Sequence, residues 1–277
     1  MAVDLLLVTC SALPDGEPGH EVLDGALEER GITARWVCWD DADVDWASSL
    51  VAVRSTWDYD SRLGEFLAWA STVPWLLNGV DVFAWNTDKA YLVALAEVGV
   101  PVVPTVVVDA ADDLPAALAP FPEAVVKPRT GAGGRGVLVV TDGSLDDPGD
   151  GPWVVQPLVA SVRTEGESSV YVLGGEPRSM VRKVPAGDEI RVHEQYGGST
   201  VAVPRTAEAA DLARRTVLAA ERLIGHRLAY ARVDLMRLAD GTLAVSELEV
   251  TEPGLYLEVL PGNGSAFAAV VAAALAE

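Results

Sequence analysis

Residues 125–137 read VVKPRTGAGGRGV and set one lysine and four glycines between two apolar runs. A strand of β-branched residues would hold the ammonium of Lys127 in place. A loop built on Gly131, Gly133, Gly134 and Gly136 can bring backbone N–H groups against phosphate oxygens where any Cβ would clash. The spelling G-A-G-G-R-G also fits the G-x-G-x-x-G pattern of dinucleotide sites, which requires a helix after the glycines. Here residues 137–140 are an apolar, largely β-branched run and Asp142-Gly143 is a turn signal, so the loop is predicted to join two strands of a hairpin. No Lys-Ser or Lys-Thr follows the last glycine, which excludes a P-loop. A glycine-rich hairpin without a ligand remains the alternative for this segment taken alone.

The chain has only three lysines, Lys89, Lys127 and Lys183, among 20 basic residues. Each is therefore a candidate for a position where a compact, mobile ammonium is preferred to a planar guanidinium. At 277 residues and 50% hydrophobic content the chain is a packed globular protein of two or three domains. The formal charge of -21 disfavours nucleic-acid and anionic-membrane partners. Cys10 and Cys38 lack metal or redox spacing and read as free thiols of a reducing compartment. No basic leader precedes the first apolar run, and no uncharged apolar stretch reaches about 18 residues. A cytoplasmic protein is expected, and a homodimer is compatible with this reading.

Residues 2–9 form a predicted strand, followed by a Pro/Gly loop, a helix carrying Val22, Leu23, Ala26 and Leu27 on one face, and strands at 32–39 and 50–54. This β-α-β-β order predicts an open, Rossmann-like α/β domain. Arg54-Ser55-Thr56-Trp57-Asp58-Tyr59 follows at a strand's carboxyl end, where open sheets bind ligands. Two readings stand: Arg54 and Asp58 hold a substrate's carboxylate and ammonium, or Ser55 or Thr56 caps a helix over buried aromatics. Asn86-Thr87-Asp88 predicts a cap for a helix over 88–98, with Lys89 in its first turn, where it would oppose the helix dipole unless an anion faces it. Further strands are predicted at 102–108, 154–159, 168–173, 231–238 and 243–250, with helices over 206–224 and 266–276; residues 109–122 read as helix or loop.

Glu247 and Glu249 stand two apart on a predicted strand, so both side chains leave the same face, and Asp234 lies on its hairpin partner. Converging carboxylates repel unless a cation lies between them, and hard oxygen ligands suit Mg²⁺ shared with phosphates. Alternating glutamates on a solvated face are the competing reading. Arg182, Lys183 and Arg191 form a basic tract that could offset a phosphate or carboxylate, or make surface ion pairs. His193, beside Arg191, is the histidine closest to these groups in sequence.

Read in order, these tracts resemble the ATP-grasp superfamily, in its glutathione synthetase-like branch of carboxylate-amine ligases, over residues 78 to 260. Asn78 with W-N-T-D-K at 85–89 is similar to the family's N…N-x-x-K helix start, V-V-K-P and the glycine loop to its phosphate-binding hairpin, and V-Q-P-L-V at 155–159 to its adenine hinge. Glu167 resembles its ribose-binding acid. Arg182, Arg191 and Gly197-Gly198 are similar to its A-R-I-P…R-G-N…G-G tract, and S-E-L-E-V-T-E-P at 246–253 to its metal-binding T-E-I-N-V-T-S-P. Glu249 departs from that pattern, standing where the family has Asn. The tract at 54–59 has no counterpart in glutathione synthetase and resembles a group of small ATP-grasp proteins that includes a cyclo-ligase closing O-ureido-D-serine to D-cycloserine.

The resemblance implies an α+β ATP-grasp fold with an N-terminal domain over 1–85, a small lid subdomain over 86–158 and a C-terminal subdomain with the metal site over 159–277. It implies a ligase that uses ATP and Mg²⁺ to convert a small amino-acid-like carboxylate into an acylphosphate for attack by an amine-type nucleophile, within one molecule or between two. ATP would be held by Lys89, Lys127, Gly133, Gly134, Gly136, Gln156, Leu158, Val159 and Glu167, and Mg²⁺ by Asp234, Glu247 and Glu249. Arg191, Lys127 and Lys183 would serve catalysis, and Arg54, Ser55, Asp58, Tyr59, Arg182, Gly197 and Gly198 the substrate. A regulatory protein that binds nucleotide without ligase chemistry is the alternative.

Overall fold

The computed structural model describes residues 3–143, 145 and 147–277. Three strands, β1 (Leu5–Thr9), β2 (Ala34–Cys38) and β3 (Leu50–Ser55), make a parallel sheet in the order β2-β1-β3, with helix α1 (His20–Glu28) crossing between the first two. The run LLLVT is buried on both faces, as a central parallel strand must be. Helices α2 (Leu63–Thr72) and α3 (Val80–Asn86) follow, then α4 (Tyr91–Glu97).

The next four strands, β4 (Val106–Val108), β5 (Ala124–Pro128), β6 (Leu138–Val140) and β7 (Trp153–Pro157), form an antiparallel sheet in the order β4-β7-β5-β6. Helix α5 (Leu114–Leu118) packs Leu114 and Leu118 against Val126, Trp153 and Val155 to give this sheet its own core. The glycine segment is the connection of the β5–β6 hairpin, as its flanking apolar runs predict.

The third sheet is antiparallel, β10-β9-β8-β11-β12, from β8 (Glu167–Leu173), β9 (Glu176–Val184), β10 (Ser199–Ala202), β11 (Tyr230–Arg237) and β12 (Leu243–Glu249). Helix α6 (Ala207–Ile224) covers one face and α7 (Gly262–Ala274) lies against α1 and the other. Leu5, Leu7, Leu23, Tyr171, Tyr230 and Phe267 share one core, so the first and third sheets are packed together. The Thr206 side chain accepts the Ala209 N–H at 3.1 Å, and Gly225 in the left-handed region closes α6. Thr206→Ala is expected to cost about 1 kcal/mol of stability, read as a lower denaturation midpoint with unchanged slope.

Two local predictions are corrected. Lys89 does not sit in the first turn of a helix over 88–98. Asn86 ends α3, and Lys89 lies in the short connection before α4, where its N–H donates to Arg129 O at 2.9 Å. Asn86 is used differently from a cap. β12 is an edge strand whose outer backbone groups need partners, and the Asn86 side chain donates to Leu248 O at 2.7 Å while accepting from Val250 N at 3.0 Å. Tyr91 OH accepts from Leu248 N and Asn78 donates to Val250 O, completing that edge. Arg182 and Lys183 of the basic tract lie inside β9 on opposite faces: Lys183 is buried and Arg182 exposed.

Candidate active site

The antiparallel register of β11 and β12 sets Asp234 opposite Glu247 and Arg232 opposite Glu249. One carboxylate oxygen from each of Asp234, Glu247 and Glu249 lies within 4.8 Å of the others. Such closeness requires cations, and the chain supplies them. Lys89 Nζ is 3.0 Å from Glu247, Lys183 Nζ is 3.2 Å from Asp234, and Arg232 donates to Asp234 at 2.9 and 2.8 Å and also to Glu249. Burial alone would raise all three acids. Arg232 and Lys183 overcome it at Asp234, whose pKa is held well below the usual carboxylate range. Lys89 and Lys127 lower Glu247 in the same way. At Glu249 burial prevails over Arg232 and pushes the pKa up to about 7. The set is a cluster of hard oxygen donors with one member still short of positive charge, which fits a divalent cation such as Mg²⁺.

The cavity in front of these carboxylates is lined by Lys89, Lys127, Gly133, Gly134, Gln156, Leu158, Val159, Glu167, Arg191 and Tyr59. Lys127 projects from β5, and its ammonium has no hydrogen bond or ion pair among the described residues; burial lowers its pKa. Lys89 is raised instead, because Glu247 outweighs its burial, and its Nζ also donates to Gly131 O at 2.7 Å. Gly134 takes φ 71°, and a Cβ there would lie 3.2 Å from both Arg191 Cδ and His193 Nδ1. Gly136 also has positive φ, and its Cβ would meet Pro128 at 2.8 Å. The loop is held down by its neighbours: Asp60 accepts from Ala132 N and Arg135, and Gln195 donates to Gly133 O.

The glycine loop and carboxylates thus converge from different sheets, together with the segment over 156–159. At that end Gln156 is buried and donates to Thr105 at 2.9 Å, and Leu158 N donates to Glu123 O. Glu167 lines the cavity but is committed to Lys183 at 2.7 Å and Ser246 at 3.1 Å. Arg191 binds Glu189 at 2.6 Å and lies over the Tyr196 ring.

Other residues predicted for the site stand outside it. Lys183 is 1% exposed and enclosed by Glu167 and Asp234, so it acts on those acids rather than on a ligand. Arg54 is wholly buried, pairs with Glu17 at 2.8 Å and donates to Pro253 O at 2.6 Å; no donor remains at the cavity wall for a substrate carboxylate. Ser55 bonds Thr9 at 2.8 Å, and Asp58 accepts from Trp39 Nε1. Arg182 faces outward from β9. Gly197 closes a short 3₁₀ turn, and a Cβ on Gly198 would meet Val192 O at 2.2 Å, so both glycines serve backbone packing. Gly136 shapes the loop without lining the cavity.

A second cavity adjoins the first and shares Gly133, His193, Glu249 and Glu252 with it. Arg232 and Glu252 were not recognised as site residues in the sequence. Arg232 gave no signal because its importance comes from facing Glu249 across the hairpin. Glu252 lies near the end of the tract at 246–253. Burial, then Glu249, pushes its pKa up to about 8. His193 lines both cavities, and its buried Nδ1 has no hydrogen-bond partner among the described residues. Burial, then Lys183 and Arg232, holds its pKa down to about 4. Between pH 6.5 and 4 the unfolded chain therefore takes up a proton that the folded chain refuses. That group removes stability as pH falls, by up to about 1.4 kcal/mol per pH unit. His193→Gln is expected to flatten the acid limb of a stability–pH profile in that window, and parallel profiles would contradict it.

A family described as prokaryotic glutathione synthetase, ATP-grasp domain, matches residues 89–260, and one described as D-cycloserine synthetase DcsG, N-terminal domain, matches residues 5–78. The chain is 35% identical to the cycloserine biosynthesis protein DcsG of Streptomyces lavendulae over 89% of this chain and 90% of that protein. It also resembles the crystal structure of D-cycloserine synthetase DcsG, with a TM-score of 0.86 at 31% identity, covering 98% of this chain and 99% of that one. The ATP-grasp ligase PsnB, solved with a phosphomimetic variant of its minimal precursor, Mg and ADP, shares the fold at a TM-score of 0.66 and 17% identity over 99% of both chains. Among the described residues no helix is long and apolar enough to cross a membrane. From the glycine hairpin to the carboxylates of β11 and β12, the chain belongs to the ATP-grasp family, and it is an ATP-dependent ligase that forms C–N bonds.

Proposed function

We propose that the chain phosphorylates the carboxylate of a small amino-acid-like substrate and passes the acyl group to a nitrogen nucleophile of the same molecule, converting O-ureido-D-serine to D-cycloserine. The observation that carries this reading is the junction of the two cavities at Glu249 and Glu252, which would let a carboxylate in the second meet the γ-phosphate of an ATP bound in the first. The near full-length likeness to a D-cycloserine synthetase supports the substrate.

In this reading Lys89 and Lys127 hold the phosphates, Gln156, Leu158 and Val159 the adenine, and Glu167 the ribose. Asp234, Glu247 and Glu249 would hold Mg²⁺, which would supply neutralisation of phosphate charge. The glycine loop excludes water, and Lys183 is a positioning residue that fixes Glu167 and Asp234. A substrate carboxylate oxygen attacks the γ-phosphorus and ADP leaves; the nitrogen then attacks the acyl carbon, and phosphate leaves. For O-ureido-D-serine, the carbamoyl group on that nitrogen departs with one water as carbamic acid. Arg191 offsets charge on the acylphosphate, and catalysis is chiefly positioning and electrostatic stabilisation. The separate sheets support a division into residues 1–85, 86–158 and 159–277.

The test is D-cycloserine formation from O-ureido-D-serine with ATP and Mg²⁺, followed alongside ADP release. ADP release with another amino acid but not with this one would overturn the substrate, and no release with any carboxylate would overturn the acylphosphate route.

A further inference from the structure

The second cavity contains an acidic side chain that the fold leaves unused. Glu252 is 6% exposed, lines both cavities, and its carboxylate has no hydrogen bond or ion pair among the described residues. A buried carboxylate without a partner is costly, and native folds keep one where a ligand supplies the partner. Its surroundings are fixed with care. Trp57 Nε1 donates to the Glu252 carbonyl, Arg54 donates to Pro253 O, Glu17 accepts from Leu255 N at 2.6 Å, and Tyr230 OH donates to Thr251 O. The tract at 54–59 therefore acts through this turn and aims Glu252.

Two further observations point to the same place. Tyr256, which lines the second cavity, takes φ 51°, a left-handed conformation unusual for a bulky residue and typical of sites where structure serves a ligand. Arg232 lines the same cavity; its Nε and Nη2 are committed to Asp234 and Glu249, whereas Nη1 has no partner among the described residues. One cavity thus presents an unpaired carboxylate and an unpaired guanidinium nitrogen, with the Trp57 ring on its wall.

We infer that this cavity is the acceptor's amino-acid subsite, in which Glu252 binds the substrate ammonium and Arg232 Nη1 the carboxylate to be activated. The inference rests on the ligase reading above and names the groups that recognise its substrate. Both ends of an α-amino acid are then fixed by charge, and its carboxylate is directed to the Glu249 side of the cavity, toward the nucleotide. Blocking the ammonium should remove recognition even though the reacting atoms are untouched.

The experiment compares O-ureido-D-serine with its N-acetyl derivative, and a panel of free D- and L-amino acids with theirs, by ADP release in wild type, Glu252→Gln and Glu252→Asp. Wild type is expected to prefer the free amine by about 100-fold or more in kcat/KM, since a site built for a polar group rejects the analogue lacking it. Glu252→Gln should reduce that preference to about 10-fold or less, mostly through KM, and Glu252→Asp should restore part of it. Binding of the ATP analogue AMPPNP, measured by calorimetry, should change little and so report an intact fold. A Glu252→Gln enzyme that keeps the full preference would overturn the subsite while leaving the ligase reading intact. Activity with another free amino acid but not with O-ureido-D-serine would overturn the cyclo-ligase substrate, and the subsite would be judged on that acid and its acetyl form. No ADP release with any member of the panel overturns both.

Discussion

Glu247→Gln is expected to lower kcat by at least about 10³, equivalent to roughly 4 kcal/mol of transition-state stabilisation, with the fold retained. The substitution keeps the side chain's size and removes its charge. Glu247 is the carboxylate nearest Lys89, and Lys127 also acts on it, so it joins the two lysines to the acid cluster. In the loaded enzyme that oxygen is proposed as a Mg²⁺ ligand, and an uncharged amide is a poorer donor to a hard cation. Lys89, freed of its partner, would also move from the position in which it donates to Gly131 O. Steady-state ADP release with a circular-dichroism melt checks both halves. Activity within tenfold of wild type would remove Glu247 from the mechanism.

Arg54→Leu is expected to be the most destabilising single change in the N-terminal part of the chain, by about 3–5 kcal/mol, because it leaves the Glu17 carboxylate buried and unpaired. The pair is almost inaccessible, at 0% and 2% side-chain exposure, and the same guanidinium stacks over Phe267 and supports Pro253 O. Replacing both partners, Arg54→Leu with Glu17→Leu, should recover much of the loss, since removing both charges removes the uncompensated one. Denaturant unfolding of the four proteins of this cycle measures it. If the double variant is as unstable as the sum of the singles, Arg54 stabilises through packing and Pro253 rather than through Glu17.

The gathering of glycines and carboxylates around one cavity was legible in the sequence because their spacing is local. Glycines with positive φ must be spelled out between strands, and two carboxylates on one face of a strand must stand two apart. Asp234 could be set beside them because an Asp-Gly turn fixes which strands pair. What was not legible depends on contacts across the fold. Arg54 looked like a ligand group at a strand end, yet Glu17, 37 residues earlier, claims it. Nothing near Lys183 announces that Glu167 from β8 and Asp234 from β11 enclose it. Arg232 reads as an ordinary strand arginine until the register places it against Glu249. Asn86 carries a cap's chemistry, and the exposed edge of β12 uses it instead. Lys89 reached the carboxylates from a loop rather than a helix, because the tertiary contact to Arg129 O outweighed the local preference for an earlier helix start.

In the proposed reaction a substrate carboxylate accepts the γ-phosphoryl group, and isotope transfer follows that step. O-ureido-D-serine labelled with ¹⁸O in both carboxylate oxygens should deliver one ¹⁸O to each phosphate released with D-cycloserine, visible as a shifted ³¹P resonance. Released phosphate free of the label, alongside normal product formation, would contradict the acylphosphate and the site built around it.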